Sequence, residues 1–420
     1  MTPRRVLLVT DSFPPGSGGS GWSTFELARQ LRTRGHHVEV VHAKPGDDSG
    51  IHQTEYEGIP VTQFRQRVPN LPVIRNVLKN ERLWAALSRY LIDRLAASPV
   101  DILHAQHVMT TVATVRAGRR VGVPVVATVR DYWPVCYWSD LIVNADAPAL
   151  CPACTVGGMR ACIPPRAEGL GRAAWSLIPY MRRNLAIKRR TLAQADAVIA
   201  VSSAIARDLK MRAPEMTGTR LETIPNPVDM SALNPTPPPT ANPHVLYAGK
   251  LAINKGVQFL LPALDAAQVR WPLVVIGDGP LRTQLEADAK ARGREVSWLG
   301  WRDRPDVLQA MREATMLAFP SYGPESLSRV LIEASALGLP IAAMNTGGTG
   351  DIIRHEETGL LADTPDAFAR DLARLAADAG LRARLGTGAA VHARAQFEAA
   401  RVAARVEAVY ESLLTRSGTA

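Results

Sequence analysis

The amino-acid sequence predicts an α/β protein built from two parallel-sheet domains. Three observations carry that reading. Short Val/Ile/Leu runs alternate with helical stretches from end to end, the pattern of strands covered by helices on both faces. The alternation is interrupted by a proline-rich run, Asn234-Pro235-Thr236-Pro237-Pro238-Pro239-Thr240-Ala241-Asn242-Pro243, and then restarts. At 420 residues the chain is also too long for one ordinary core.

The elements follow in order. Strands are expected at 6–10, 37–43, 101–106, 125–129, 197–202 and 221–225, with helices at 23–34, 81–97 and 108–121 between them. Pro3-Arg4-Arg5 before the first apolar run faintly mimics a signal peptide, but that run ends at Asp11 and reads better as a strand. After the proline run, strands are expected at 244–248, 273–276, 296–299, 316–320 and 341–344. A final helix is expected at 397–414, apolar at Val402, Val406, Val409 and Leu413 and packing back across the hinge. The expected organisation is an N-terminal Rossmann-like domain (1–230) with a Cys-rich insert (131–170) and a Pro-rich hinge (231–243). A C-terminal Rossmann-like domain (244–395) is expected to follow, and a closing helix (396–420) to cross back. In open parallel sheets ligands sit beyond the carboxyl ends of the strands, so two facing domains imply an interdomain cleft.

The chain is 46% hydrophobic and 21% charged, as a globular protein is, with a formal charge of +10 and a pI near 9.7. That excess suits anionic partners, although scattered arginine is mostly solvated surface. No helix-turn-helix, finger or aromatic-rich RNA motif supports nucleic acid as the partner. No segment approaches the roughly 20 apolar residues of a membrane span. The expected location is cytoplasmic, at the inner face of the membrane if the acceptor is lipid-linked.

Two acids carry most of the chemistry. Glu325 ends the loop Pro320-Ser321-Tyr322-Gly323-Pro324, and Glu333 lies in an apolar helix stopped by Gly338-Leu339-Pro340. Carboxylates accept sugar hydroxyls, and helix N-terminal amides accept phosphate, so a nucleotide sugar is the ligand such a layout suits. Lys250 and Lys255 flank the exit of the strand ending at Gly249, where a diphosphate would sit; alternatively both are solvated loop lysines. Gly277 ends another strand, where it makes a tight connection or lets a nucleotide approach the backbone. The run Gly16-Ser17-Gly18-Gly19-Ser20-Gly21 formally matches G-x-G-x-x-G. It does not follow its strand directly, and no acid ends the second strand, so a loop closing over a phosphate or acceptor fits better.

In this order, these residues resemble glycosyltransferase family 4, the retaining enzymes with the two-domain GT-B fold. The resemblance covers essentially the whole chain. It rests on Gly18-Gly19, Arg34-Gly35-His36-His37-Val38, Gly249-Lys250-Leu251 with Lys255-Gly256, Gly277-Asp278-Gly279-Pro280, and the Glu325 to Glu333 spacing. It implies that Lys250 and Lys255 hold the donor diphosphate and that Glu333 holds the ribose hydroxyls. Glu325 lies over the donor sugar, and the amides of Ser326, Leu327 and Ser328 face the phosphate. Gly18 and Gly19 close on the donor from the first domain. The chain departs from the family pattern at Leu327-Ser328, where Phe-Gly is usual, and at Arg130-Asp131, where His-Asp is common. Arg130 in that place would bind departing phosphate or an anionic acceptor, or pair with Asp131. The implied reaction is glycosyl transfer with retention, needing no metal.

All four cysteines fall in one window, Cys136, Cys151, Cys154 and Cys162. Four thiolates with one C-x2-C pair suit a structural zinc site shaping a lid over the acceptor; an iron–sulfur cluster and plain buried thiols are the alternatives. The stretch 173–190 mixes aromatic, apolar and basic residues, as a surface resting on an anionic bilayer would, or an ordinary helix with a basic outer face; Pro179 is expected to interrupt it. The leading function is an active transferase acting on a glycan, lipid-linked or small-molecule acceptor. The alternative is a catalytically silent nucleotide-sugar-binding partner in a glycan-assembly complex.

Overall fold

The computed structural model describes residues 2–46, 48–68, 78–144, 149–166, 171–236 and 241–417. Part of the proline run, 237–240, and the tail 418–420 lie outside them. The chain divides into two compact units. The first comprises Met1–Ser139, Pro179–Pro227 and Ala399–Ala420; the second comprises Asp140–Ile178 and Val228–Glu398.

The first unit holds β1 (Arg5–Thr10), β2 (His37–Gly46), β3 (Gly50–Tyr56), β4 (Ile59–Arg67), β5 (Ile102–Ala105) and β6 (Val125–Val129). After β7 (Ile142–Asn144) and β8 (Ala149–Leu150), a short antiparallel pair of the second unit, it adds β9 (Ala197–Ala200) and β10 (Leu221–Thr223). These make one sheet in the order β10-β9-β6-β5-β1-β2-β4-β3. Every pairing is parallel except β3 with β4. The central strands are mostly apolar because helices cover both faces: β5 and β6 are buried at every residue, and their polar members, His104 and Thr128, meet each other at 2.7 Å. Close packing shows at Gly118 in the helix Val108–Val121, where a Cβ would lie 2.2 Å from Val125 Cγ2.

The β3–β4 hairpin was not visible in the sequence. Its outer strand is polar and almost wholly exposed, so it has no apolar alternation to read. Its signal lies in the turn: Glu57 and Gly58 both take positive φ (47° and 76°), the two-residue primed turn that matches strand twist. The strand β16 (Leu360–Ala362) was likewise missed, being three residues long. The stretch 173–190 is divided as expected beside Pro179: a 3-10 helix, Gly171–Leu177, ends there, and Pro179 sits in the first turn of the helix Ile178–Leu192, where the missing N–H is no loss.

The last helix starts at Ala399 rather than 397, because Phe397 ends the preceding helix, Ala379–Phe397. Val402, Val406, Val409, Tyr410 and Leu413 enter the core of the first unit with Phe25, Leu27 and Leu31. The spacing of 3 to 4 residues puts them on one face, and burying them welds the chain's end to its beginning. Polar contacts fix the register. Glu407 accepts from Arg34 Nε at 2.6 Å and lies 2.8 Å from His36 Nε2. Tyr410 Oη lies 2.6 Å from His104 Nδ1.

The second unit repeats the plan. β11 (Val245–Ala248), β12 (Leu273–Ile276), β13 (Val296–Gly300), β14 (Met316–Phe319), β15 (Ile341–Met344) and β16 form a parallel sheet in the order β13-β12-β11-β14-β15-β16. Each sheet reverses its strand order once. In the first unit the reversal falls between β1 and β5; in the second it falls between β11 and β14. Within each sheet, the two loops leaving those strands splay apart into a crevice of that sheet, where ligands of such sheets bind.

Candidate active site

At the reversal of the second unit, the loops after β11 and β14 meet. Lys255 ends a single 3-10 turn, Ile253–Lys255, and its Nζ donates to Glu325 Oε1 at 2.5 Å. The same oxygen accepts from Ser321 Oγ at 2.5 Å. Glu325 is buried, with its side chain 8% exposed, so a charge partner is required there. Its loop is clamped on both sides. Gly323 N donates to Asn254 O at 2.9 Å, Gly348 N to Glu325 O at 2.7 Å, and Thr346 Oγ1 to Gly323 O at 2.9 Å.

Glycines make this clamp possible. Gly256 has φ of 65°, and a Cβ there would lie 1.8 Å from Pro320 O. Gly277 has φ of 128°, and a Cβ there would lie 1.9 Å from Gly249 O, so the ends of β11 and β12 touch backbone to backbone. We expect Gly256→Ala to lose at least about 2 kcal/mol, from left-handed strain plus a backbone clash. Urea unfolding measures it, and a loss under 0.5 kcal/mol, the ordinary surface range, would show that the loops are not locked.

Ser328 stands where the family pattern has glycine. It is the N-cap of the helix Arg329–Ala336, its Oγ accepting from Leu331 N at 3.5 Å. Leu327 is buried and Ser326 half-buried. Glu333, inside that helix, is buried, and its Oε1 accepts from Arg304 Nε at 2.7 Å and Arg329 Nε at 3.0 Å. Neither arginine was anticipated from the sequence; Arg329 lies at i−4 and was legible, whereas Arg304 arrives from another helix. Lys250 is exposed. Tyr247, below it, donates to Lys250 O at 2.9 Å, and burial, with Glu325 nearby, pushes its phenol far up. Trp301 was also missed: it is 75% exposed just past β13, whose Gly300 O accepts from Gly277 N at 2.8 Å.

In the first unit, Gly18 is the N-cap and Gly19 the first residue of the helix Gly19–Thr33; a Cβ on Gly18 would meet nothing within 4 Å. Arg130 is buried and fully engaged. Its Nε donates to Asn226 Oδ1 at 2.9 Å, one Nη to Gln106 Oε1 at 2.6 Å, and the other to Gln106 O. Burial draws its pKa down to about 10. Asp131 pairs with an imidazole that the sequence reading did not single out, His107, whose Nε2 lies 3.5 Å from Asp131 Oδ2.

The zinc expectation finds no support. Among the described residues no group of three or more His, Cys, Asp or Glu side chains is placed to hold a metal ion. Cys151 Sγ lies 3.2 Å from Ala153 O and Cys162 Sγ lies 3.7 Å from Met159 O. Among the described residues no helix is long and apolar enough to cross a membrane.

The profile of glycosyltransferase family 4 matches residues 17–232, more than half of the chain. The chain belongs to glycosyltransferase family 4. Residues 242–378 match a second profile, glycosyl transferases group 1, so this family 4 glycosyltransferase has one transferase profile on each sheet. Its fold is GT-B: it superposes on sucrose-phosphate synthase from Thermosynechococcus elongatus with a TM-score of 0.72 over 98% of this chain and 100% of that one, at 19% identity. The chain is similar to a D-inositol 3-phosphate glycosyltransferase of Salinispora tropica, 32% identical over 49% of each protein. It therefore spans about half the length of that relative. It is also similar to a GDP-mannose-dependent alpha-mannosyltransferase of Mycobacterium tuberculosis, 27% identical over 85% of this chain and 83% of that protein.

Proposed function

We propose that this glycosyltransferase moves a sugar from a nucleoside diphosphate sugar to a hydroxyl of a glycan, lipid-linked or small-molecule acceptor, retaining the anomeric configuration. The observation that carries the reading is the pairing of half-buried Lys255 with buried Glu325 at the strand-order reversal of the second unit. In this reading residues 244–395 hold the donor and 1–230 the acceptor. Lys250, Lys255 and the amides of Ser326, Leu327 and Ser328 take the diphosphate. Gly249 and Gly277 let the nucleotide approach the backbone, and Glu333 holds the ribose hydroxyls. Glu325 accepts donor-sugar hydroxyls, Gly18 and Gly19 close on the donor, and Asp131 lines the acceptor side, while Arg130 holds Gln106 and Asn226.

The C1–O bond to the diphosphate breaks as positive charge builds on the ring. The lysines and helix amides stabilise the leaving diphosphate, which takes the acceptor's proton. Donors fixed in advance around a developing anion are worth about 3 kcal/mol each. A nucleotide-sugar donor is supported by the mannosyltransferase relative, named for its dependence on GDP-mannose. Work at the inner membrane face is supported by the exposed Arg182, Arg183 and Arg190 on the helix Ile178–Leu192. Lys188 on the same helix is buried and does not belong to that surface.

Thermal shift against UDP-glucose, GDP-mannose and ADP-glucose tests the donor, with one ligand at 100 times its Kd expected to stabilise by about 2.7 kcal/mol. Transfer of radiolabelled sugar, and the product's anomeric configuration by NMR, test the reaction. Binding without transfer or hydrolysis across a broad donor and acceptor panel would favour the silent partner. No binding at all would overturn the reading.

A further inference from the structure

The first unit carries at its own strand-order reversal a cluster of titratable groups that donor binding leaves unused. β6, β5 and β1 are neighbours in the sheet, so the residues just past their carboxyl ends stand in a row: Asp131, His107 and Asp11. The imidazole bridges the two acids. Its Nδ1 lies 3.0 Å from the Asp11 carboxylate and its Nε2 lies 3.5 Å from Asp131 Oδ2. The row is anchored at both ends: Asp11 Oδ2 accepts from Met109 N at 3.1 Å, and Asp131 Oδ1 accepts from Trp133 N at 2.8 Å. It is also graded in exposure, the Asp11 side chain at 7% and the Asp131 side chain at 27%, so Asp131 is the end a ligand can reach. Gln106 Nε2 and Trp133 Nε1, on residues next to and near the row, are buried donors without a protein partner among the described residues. Buried donors of that kind call for oxygen atoms from a ligand or water.

We propose that His107 is a positioning residue of the transfer reaction: bridging Asp11 and Asp131, it orients the Asp131 carboxylate to accept a hydrogen bond from an acceptor hydroxyl beside the attacking one, whose own proton goes to the diphosphate. The inference rests on the transfer reading above and extends it to the acceptor side. It makes the acceptor a polyhydroxylated molecule, because a carboxylate offers only acceptor sites and selects hydroxyl donors.

The surrounding charges agree with the geometry. Burial works against the imidazolium, but Asp11 and then Asp131 hold the His107 pKa above its ordinary 6.5, against Arg130. Burial would raise Asp11, yet His107 and the Met109 amide hold it below its usual range. Burial raises Asp131, opposed by His107 and by Lys188 from the helix Ile178–Leu192, and assisted by Asp11. The sign of the pH dependence follows. Transfer needs Asp131 ionised, so activity rises as pH climbs through its raised pKa. The bridge needs His107 charged, so activity falls as pH passes the raised imidazole pKa. Removing the imidazolium takes away a charge that lowers Asp131, so the acid limb moves to higher pH.

The test uses the full chain. NMR titration of the His107 ring is expected to give a midpoint above 6.5, moving down in Asp11→Asn; a midpoint at or below the ordinary value would overturn the bridge. His107→Gln is expected to keep its affinity for UDP and GDP within about twofold. Its acceptor kcat/KM should fall by about 10- to 100-fold, with the acid limb of the profile moved up, as misplacing a reacting group does. Mannose, glucose and inositol 3-phosphate serve as acceptors, with whichever of UDP-glucose, GDP-mannose or ADP-glucose turns over. Unchanged acceptor kinetics and an unchanged pH profile would overturn the proposal. If His107→Gln does not fold, Asp11→Asn is read in the same way. If the wild-type chain uses no nucleotide sugar, the transfer reading fails on its own, and the ring titration still decides whether the bridge exists.

Discussion

Lys255→Ala should lower kcat by about 10²- to 10³-fold while leaving the affinity for the free nucleoside diphosphate within about tenfold. The argument begins with placement. Lys255 sits on a one-turn helix whose next residue, Gly256, presses against Pro320, and its ammonium touches a carboxylate in the loop after β14. On the proposed reading, the charge it balances grows as the donor bond breaks. Losing a donor aimed at a developing anion costs about 10²–10³ in rate. A second consequence is structural: Glu325 stays buried while losing an ammonium at 2.5 Å, and removing one partner of such a pair is destabilising. The double variant Lys255→Ala/Glu325→Gln separates the two effects. It should recover much of the lost thermal stability and none of the turnover. Wild-type turnover in Lys255→Ala, in protein shown to be folded, would remove this lysine from the chemistry.

Glu333→Ala should weaken donor binding by about 100-fold with a smaller change in kcat. Glu333 is buried in the helix Arg329–Ala336 and pinned by two guanidinium groups, so its carboxylate is fixed before any ligand arrives. Two ribose hydroxyls donating to a charged oxygen are worth roughly 1.5 kcal/mol each at the low end, which together give about two orders of magnitude. Removing the acid also leaves Arg304 and Arg329 facing each other without it, so part of the loss will be structural. Glu333→Gln keeps the shape and tests the charge. Calorimetry that finds unchanged donor affinity in both variants would reject the ribose role. Because Glu325 lies over the sugar in this reading, Glu325→Gln should show the opposite split, losing turnover more than affinity.

Much of the proposed donor half was legible in the sequence. Lys255 and Glu325 stood out because each closes a loop directly after an apolar strand, and loops of that kind in parallel sheets open toward the ligand. Glu333 stood out as an acid inside an apolar helix. Its arginine partners did not: Arg304 lies in a separate helix, and no local pattern connects the two. On the acceptor side, Asp131 was visible through its strand, but Arg130 was expected to meet a phosphate or an acid. Instead it is spent on Gln106 and Asn226, residues far from it in sequence. The cysteine spacing suggested a metal site, yet spacing records only chain distance, and no metal-holding group assembles among the described residues.

Hydrophobic periodicity alone determined the two parallel sheets, because burial on both faces leaves each central strand dominated by apolar residues. It also determined the final helix, whose four apolar positions face one way. Strand order belongs to the tertiary structure. Placing β5 beside β1 makes His107 a neighbour of Asp11, and placing β14 beside β11 makes Glu325 a neighbour of Lys255. Hydrogen bonds between strands are made by backbone groups that every residue carries, so the chain's letters leave that order open and long-range packing settles it.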